Sequence, residues 1–149
     1  MTLEQRIMGD LKEAMKQKDQ AALRSIRAVK AAILLQKTDG SGKELDEGGE
    51  IKLIQKLVKQ RQDSLDIYTK QNREDLAVVE REEIEVLKRY LPEQLDEASL
   101  RPIIEGIIAE MGASGMQDMG RVMGTASQKL AGKADGKTIS GIVRAILSA

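Results

Sequence analysis

The sequence predicts an all-α protein made of two helical bundles, and three observations carry that prediction. Apolar residues recur at three- and four-residue steps through most of the chain. The only aromatic residues are two tyrosines, so the core must come from Leu, Ile, Val, Met and Ala, a set that suits helix stripes better than strand faces. No stretch alternates apolar and polar residues for long enough to argue for a strand. A break marked by Pro92 separates an N-terminal four-helix bundle, residues 1–92, from a C-terminal three-helix bundle, residues 93–149.

Each element has its own signal. Thr2 to Lys18 aligns Leu3, Ile7, Leu11, Ala14 and Met15 on one side, with Thr2 and Gln5 spaced as a capping box. Asp19 caps a second helix with the stripe Ala22, Leu23, Ile26, Val29, Ile33 and Leu34. "TDGSGKELDEGG", Thr38 to Gly49, has four glycines and few apolar residues and predicts a mobile surface loop. A third helix follows from Ile51 to about Lys70 through Ile54, Leu57, Val58, Leu65 and Tyr68, with Arg61 at a place where an apolar residue is expected. Leu76, Val79, Glu83, Val86, Leu87 and Tyr90 mark a fourth, stopped by Pro92. Asp96 caps a fifth that carries Leu100, Ile103, Ile104, Ile107, Ile108 and Met111 and ends at Gly112; Pro102 is tolerable there only within the first turn. The sixth runs from about Asp118 to Leu130, "AGKADGK" is a loop, and Thr138 caps a last helix through Ile139, Ile142, Val143, Ile146 and Leu147.

Missing residue types limit the chemistry. Without Cys or His there is no thiol nucleophile, no imidazole base and no ordinary zinc site, so neither a catalytic residue nor a metal or other cofactor is expected. "MTLEQRIMGDLKEAM" mixes charges with apolar residues and lacks a continuous apolar run, and no segment approaches the roughly 20 apolar residues of a membrane span. These features set the expectation of a soluble, cytoplasmic protein without membrane contact.

Net charge is zero but segmental. Residues 1–37 carry eight basic and four acidic groups, residues 74–110 carry four and eleven, and residues 111–149 carry five and two. A uniformly basic nucleic-acid coat is excluded, while local basic faces remain. Arg24, Arg27 and Lys30, with Lys52, Lys56, Lys59 and Arg61, form two such sets that could meet phosphates; without aromatic platforms a bound nucleic acid would be folded and read by backbone and shape. In "EREEIEVLKR", Glu80 and Glu83 share a face, but Arg81, Glu85 and Arg89 at four-residue steps read as an exposed ladder of opposite charges.

The tail holds Gly112, Gly115, Gly120, Gly124, Gly132, Gly136 and Gly141. Glycine costs a helix interior about 0.8–1 kcal/mol relative to Ala, so Gly120 and Gly124, one turn apart, call for compensation. Their shared bare face admits another backbone, either a neighbouring helix or a nucleic-acid strand, and helix packing is the default. "GKADGK" lacks the spacing of a P-loop and follows no strand. Its Lys133 and Lys137, with Arg121, Lys129 and Arg144, can form a cationic end to the tail bundle.

"YLPEQL", Tyr90 to Leu95, followed by "DMGRVMG" and "GKADGK" before a final amphipathic helix, resembles the YqeY family. That family is similar in its C-terminal part to the tail of GatB, the B subunit of glutamine-dependent tRNA amidotransferase. The GatB tail has a Met-Lys pair and an Asn-Pro where this chain has Ser127-Gln128 and Ala134 to Gly136. The resemblance spans essentially the whole chain and implies a four-helix bundle followed by a three-helix bundle. In GatB the tail is associated with holding tRNA, while the chemistry belongs to separate domains that this chain does not resemble. The implied function is therefore a non-catalytic accessory module that binds tRNA, or a tRNA-aminoacylation or amidotransferase complex, through Gly120, Arg121, Gly124, Lys129, Lys133 and Lys137. The alternatives are a helical protein-interaction adaptor and, by family relation alone, a carbon-nitrogen ligase with glutamine as amide donor.

Overall fold

The computed structural model describes residues 1–40 and 44–149 and is helical throughout its regular structure: α1 Leu3–Gln17, α2 Gln20–Lys37, α3 Glu47–Lys70, α4 Glu74–Lys88, α5 Glu97–Met111, α6 Met119–Lys129 and α7 Gly136–Leu147. One turn of 3-10 helix, Met116–Asp118, leads into α6. These residues fall into two compact units, Met1–Leu91 and Pro92–Ala149, each with its own apolar core.

In the first unit α1 packs along α2, α3 along α4, and α2 against α4. The amphipathic stripes meet in a core that includes Ile7, Ile26, Val29, Ile54 and Leu87. The ends of the helices are fixed locally. The Thr2 hydroxyl accepts from the Gln5 N–H and the Gln5 side chain accepts from the Thr2 N–H, completing the capping box. Asp19 caps α2 by accepting from the Ala22 N–H at 3.1 Å. Between α1 and α2, Lys18 takes the left-handed conformation at φ 55.

Part of the expected loop at 38–49 is helical. Residues 41–43 lie outside the described residues, and α3 begins at Glu47, before Gly48 and Gly49. Asp46 accepts from the Gly49 N–H at 2.7 Å, and Glu47 and Glu50 complement the positive end of the helix. A Cβ at Gly49 would lie 3.0 Å from Leu45 and 3.1 Å from the Asp46 carboxylate, so glycine here lets the cap close.

In the second unit α5, α6 and α7 pack against one another around Leu100, Ile104, Val122, Ala126, Ile142 and Val143. Asp96 caps α5 and left-handed Gly112 ends it, at φ 65. Pro102 departs from expectation: it is the sixth residue of α5 and therefore lies beyond the first turn. The lost hydrogen bond is tolerated because the register is set elsewhere, by the Asp96 cap and by fully enclosed Leu100 and Ile104. The cap of α7 is also corrected. Asp135 is the cap, accepting from the Thr138 N–H at 2.6 Å, so Thr138 is the donor three residues in, and Lys137 belongs to the helix.

Candidate nucleic-acid interface

The loop between α6 and α7 is fastened at its centre. The Leu95 N–H donates to the Lys133 carbonyl at 2.9 Å, and the Gln94 amide nitrogen donates to the Gly132 carbonyl. Gly132 is buried at φ 78, a conformation that costs side-chain-bearing residues about 1–2 kcal/mol. Ala134 is also buried. The second half of "YLPEQL" thus holds the first half of "GKADGK". The first half of "YLPEQL" works within the N-terminal unit: the Tyr90 hydroxyl donates to the Asp10 carboxylate at 2.5 Å, and the Arg6 guanidinium stands 5.1 Å from the Tyr90 ring centre. Burial, followed by the Asp10 carboxylate, raises the pKa of Tyr90.

This fastening leaves the Lys133 side chain outward, and Lys137 is outward on the first turn of α7. Both side chains are exposed, and neither takes part in an ion pair among the described residues. Lys137 sits in the first turn of α7, where a cation is unfavourable against the helix dipole, so helix stability does not explain it. Lys137, Gly141 and Arg144 follow at helical steps along the exposed face of α7.

The other basic residues of this set have partners. Arg121 donates to the Asp118 carboxylate at 3.0 Å. The Ser114 N–H, and after it the Arg121 guanidinium, hold the Asp118 carboxyl below its usual range. Lys129 pairs with Glu110 at 3.3 Å. Both pairs are more than half exposed on the basic side and are worth little to stability.

Gly120 and Gly124 are exposed, and a Cβ added at either would meet nothing within 4 Å. The default of helix packing against this face is therefore not what α6 does; Val122, Ala126 and Leu130 make its packing face instead. Ser127 and Gln128 continue the exposed side.

The basic sets of α2 and α3 are divided rather than pooled. Arg24 and Arg61 turn toward Glu83 of α4, with Nε at 3.5 and 3.3 Å from its carboxylate. Neither Nε–H makes a hydrogen bond, so the attraction is coulombic, while Arg61 donates through Nη1 to the Leu57 carbonyl at 3.1 Å. Lys59 pairs with Asp63. The expected ladder on α4 is exposed at Arg81, Glu85 and Arg89, but Arg81 pairs with Glu74, two turns back, while Glu83 in the helix stripe is only 13% exposed. The out-of-place Arg61 in the α3 stripe was the sequence signal for this bridge.

The match to a family model decides the wider assignment, because the Yqey-like protein model covers residues 4–147. The chain belongs to the YqeY family. Similar proteins in the YqeY group include one named "Altered inheritance of mitochondria protein 41, mitochondrial" from Lachancea thermotolerans, 36% identical over 104 residues, which is 68% of this chain and 56% of that protein. Its namesakes in Meyerozyma guilliermondii and Vanderwaltozyma polyspora are 43% and 38% identical over 82 residues, 55% of this chain and 42% and 44% of theirs. The chain spans about half the length of these relatives. Their naming as mitochondrial contradicts the cytoplasmic expectation. That expectation tested for an apolar leader, whereas mitochondrial transit segments are amphipathic and Arg-rich, so the criterion does not bear on that compartment. No helix among the described residues is long and apolar enough to cross a membrane.

Proposed function

We propose that this YqeY domain is a non-catalytic module that binds folded RNA, tRNA in particular, through the α6–α7 end of its C-terminal unit. The observation that carries the reading is the fastened loop, which holds exposed Lys133 next to the Asp135 cap and the exposed Lys137 of the first turn of α7. Two exposed ammonium groups that form no ion pair among the described residues suit phosphates, which position a ligand without reading its sequence. Gly120 and Gly124 support the same reading, since a bare, open stretch of α6 lets a nucleic-acid backbone come close. Arg121 and Lys129 sit beside this stretch and exchange their carboxylate partners for phosphate on binding.

Binding of unmodified tRNA by the full chain, measured across a series of salt concentrations, tests this. The logarithm of the affinity should fall linearly with the logarithm of salt. Lys133→Ala with Lys137→Ala should weaken binding about tenfold or more and flatten that slope by roughly two phosphate contacts, without lowering stability. Gly120→Ala with Gly124→Ala should stabilise the fold, by about 0.8–1 kcal/mol per site, and yet weaken binding. Absence of binding at low salt, or binding indifferent to the lysine pair, would overturn the reading.

A further inference from the structure

The first two helices leave apolar surface uncovered. Met8 and Met15 of α1 and Leu34 and Leu35 of α2 are each more than half exposed, Leu34 at 62%. Ile7, Met8, Ile33 and Leu34 line a groove of about 130 Å³ between the two helices, rimmed by Glu4, Lys30 and Lys37. Methionines make such a groove adaptable in shape, and exposed apolar surface bordered by charge marks a binding face.

The charge around this groove is one-sided. All four carboxylates of residues 1–37 have internal tasks: Glu4 pairs with Lys37 at 2.6 Å, Asp10 accepts from Tyr90, Glu13 accepts from Gln17, and Asp19 caps α2. Lys12, Lys16, Arg27 and Lys30 form no ion pair among the described residues. Arg27 and Lys30 precede Leu34 by seven and four residues and so share its face of α2, and Lys12 lies one turn from both Met8 and Met15 on α1. Apolar anchors with cations on both flanks have a specific complement.

We propose that the α1–α2 face docks an amphipathic helix of a partner protein, one whose apolar stripe is flanked by carboxylates. An aliphatic side chain of that helix seats in the groove between Met8 and Leu34, in the helix-in-groove mode, with further apolar contacts one and two turns away. Its carboxylates meet Arg27 and Lys30 on one side and Lys12 and Lys16 on the other. Nucleic acid would satisfy these cations but leave Leu34 and Leu35 against water. A helix with basic flanks is repelled, which gives the face its selectivity.

Two fluorescent helical peptides of about 18 residues, long enough to be partly helical in water, test the proposal. They share one leucine stripe and differ in having Glu or Lys on its flanks. The Glu-flanked peptide should bind the full chain at least about tenfold more tightly than the Lys-flanked one, as complementary flanking charge requires. Leu34→Glu should abolish that binding, with the helical circular dichroism unchanged because Leu34 is outside the core. Arg27→Glu with Lys30→Glu should reverse the preference. Binding of neither peptide, equal binding of both, or full binding by the Leu34→Glu variant would overturn the proposal. So would tighter association with phosphatidylserine vesicles than with the Glu-flanked peptide, or a dimer in sedimentation that Leu34→Glu dissociates.

Discussion

Arg61, inside α3 of the N-terminal unit, and Lys133, in the loop between α6 and α7 of the C-terminal unit, are both basic residues, yet the fold uses them in opposite ways. Arg61 is turned inward, 17% exposed, beside Glu83 on the neighbouring helix. Lys133 is turned outward, its backbone carbonyl held by Leu95 and its ammonium left to solvent. Helical spacing states which residues share a face. It does not state which face another element covers, and that decides whether a cation joins helices together or meets a ligand.

The sharpest way to break this comparison is at Glu83. Glu83→Ala leaves the largely enclosed Arg61 guanidinium without its carboxylate, facing Arg24, which keeps its pair with Glu82 at 3.1 Å. Removing one partner of a fully buried pair costs about 3–5 kcal/mol; the residual exposure here brings the expected loss to roughly 2 kcal/mol. A lower urea midpoint with an unchanged slope would record it. Arg61→Leu together with Glu83→Leu should cost clearly less than Glu83→Ala, because no enclosed charge is then left uncompensated. A loss below about 0.5 kcal/mol for Glu83→Ala would place the bridge with ordinary surface pairs, and the contrast with Lys133 would disappear.

A smaller loss is expected at Gly132, on the other side of the comparison. Gly132→Ala forces a side chain into a left-handed conformation and should cost about 1–2 kcal/mol. If Lys133 owes its outward position to this fastening, the same variant should also weaken RNA binding while both lysines remain. An unfolding midpoint equal to that of the parent chain would show that the loop can relax and that Gly132 does not set its shape.

What could be read from the sequence follows the range of the interactions involved. The Thr2–Gln5 box and the caps at Asp19 and Asp96 lie within three residues of their targets, and the sequence identified all of them. Asp135 and Thr138 were harder, because both can cap and they are three residues apart; the aspartate wins, and the threonine supplies the N–H. The start of α3 was hidden by two glycines whose cost is outweighed by the Asp46 cap and two first-turn glutamates. Arg61 was visible as an anomaly, but its partner is 22 residues away on another helix. The candidate interface was legible as a list of residues and not as a geometry. The pairing of Gln94 and Leu95 with Gly132 and Lys133 spans nearly forty residues and leaves no periodic trace.

The least effect is expected at Glu80, beside the same bridge, and its sign separates enclosed charge from surface charge. Burial first, and then the nearby Glu83 carboxylate, raise the Glu80 pKa, with Arg61 opposing. A carboxyl whose pKa is raised by folding holds its proton more tightly in the folded state than in the unfolded one. Its ionised form therefore weakens the fold at neutral pH, and that penalty is relieved as pH falls through the raised folded value. Glu80→Gln removes the charge while keeping the shape, so it should stabilise the protein slightly at neutral pH. The gain over the parent chain should shrink in acid and vanish once both states of the parent are protonated. Urea unfolding of the two proteins at neutral and acid pH measures this difference directly. A gain that persists unchanged into acid would mean that the glutamine helps by packing, and that Glu80 lies outside the field of the Arg24–Glu83–Arg61 bridge.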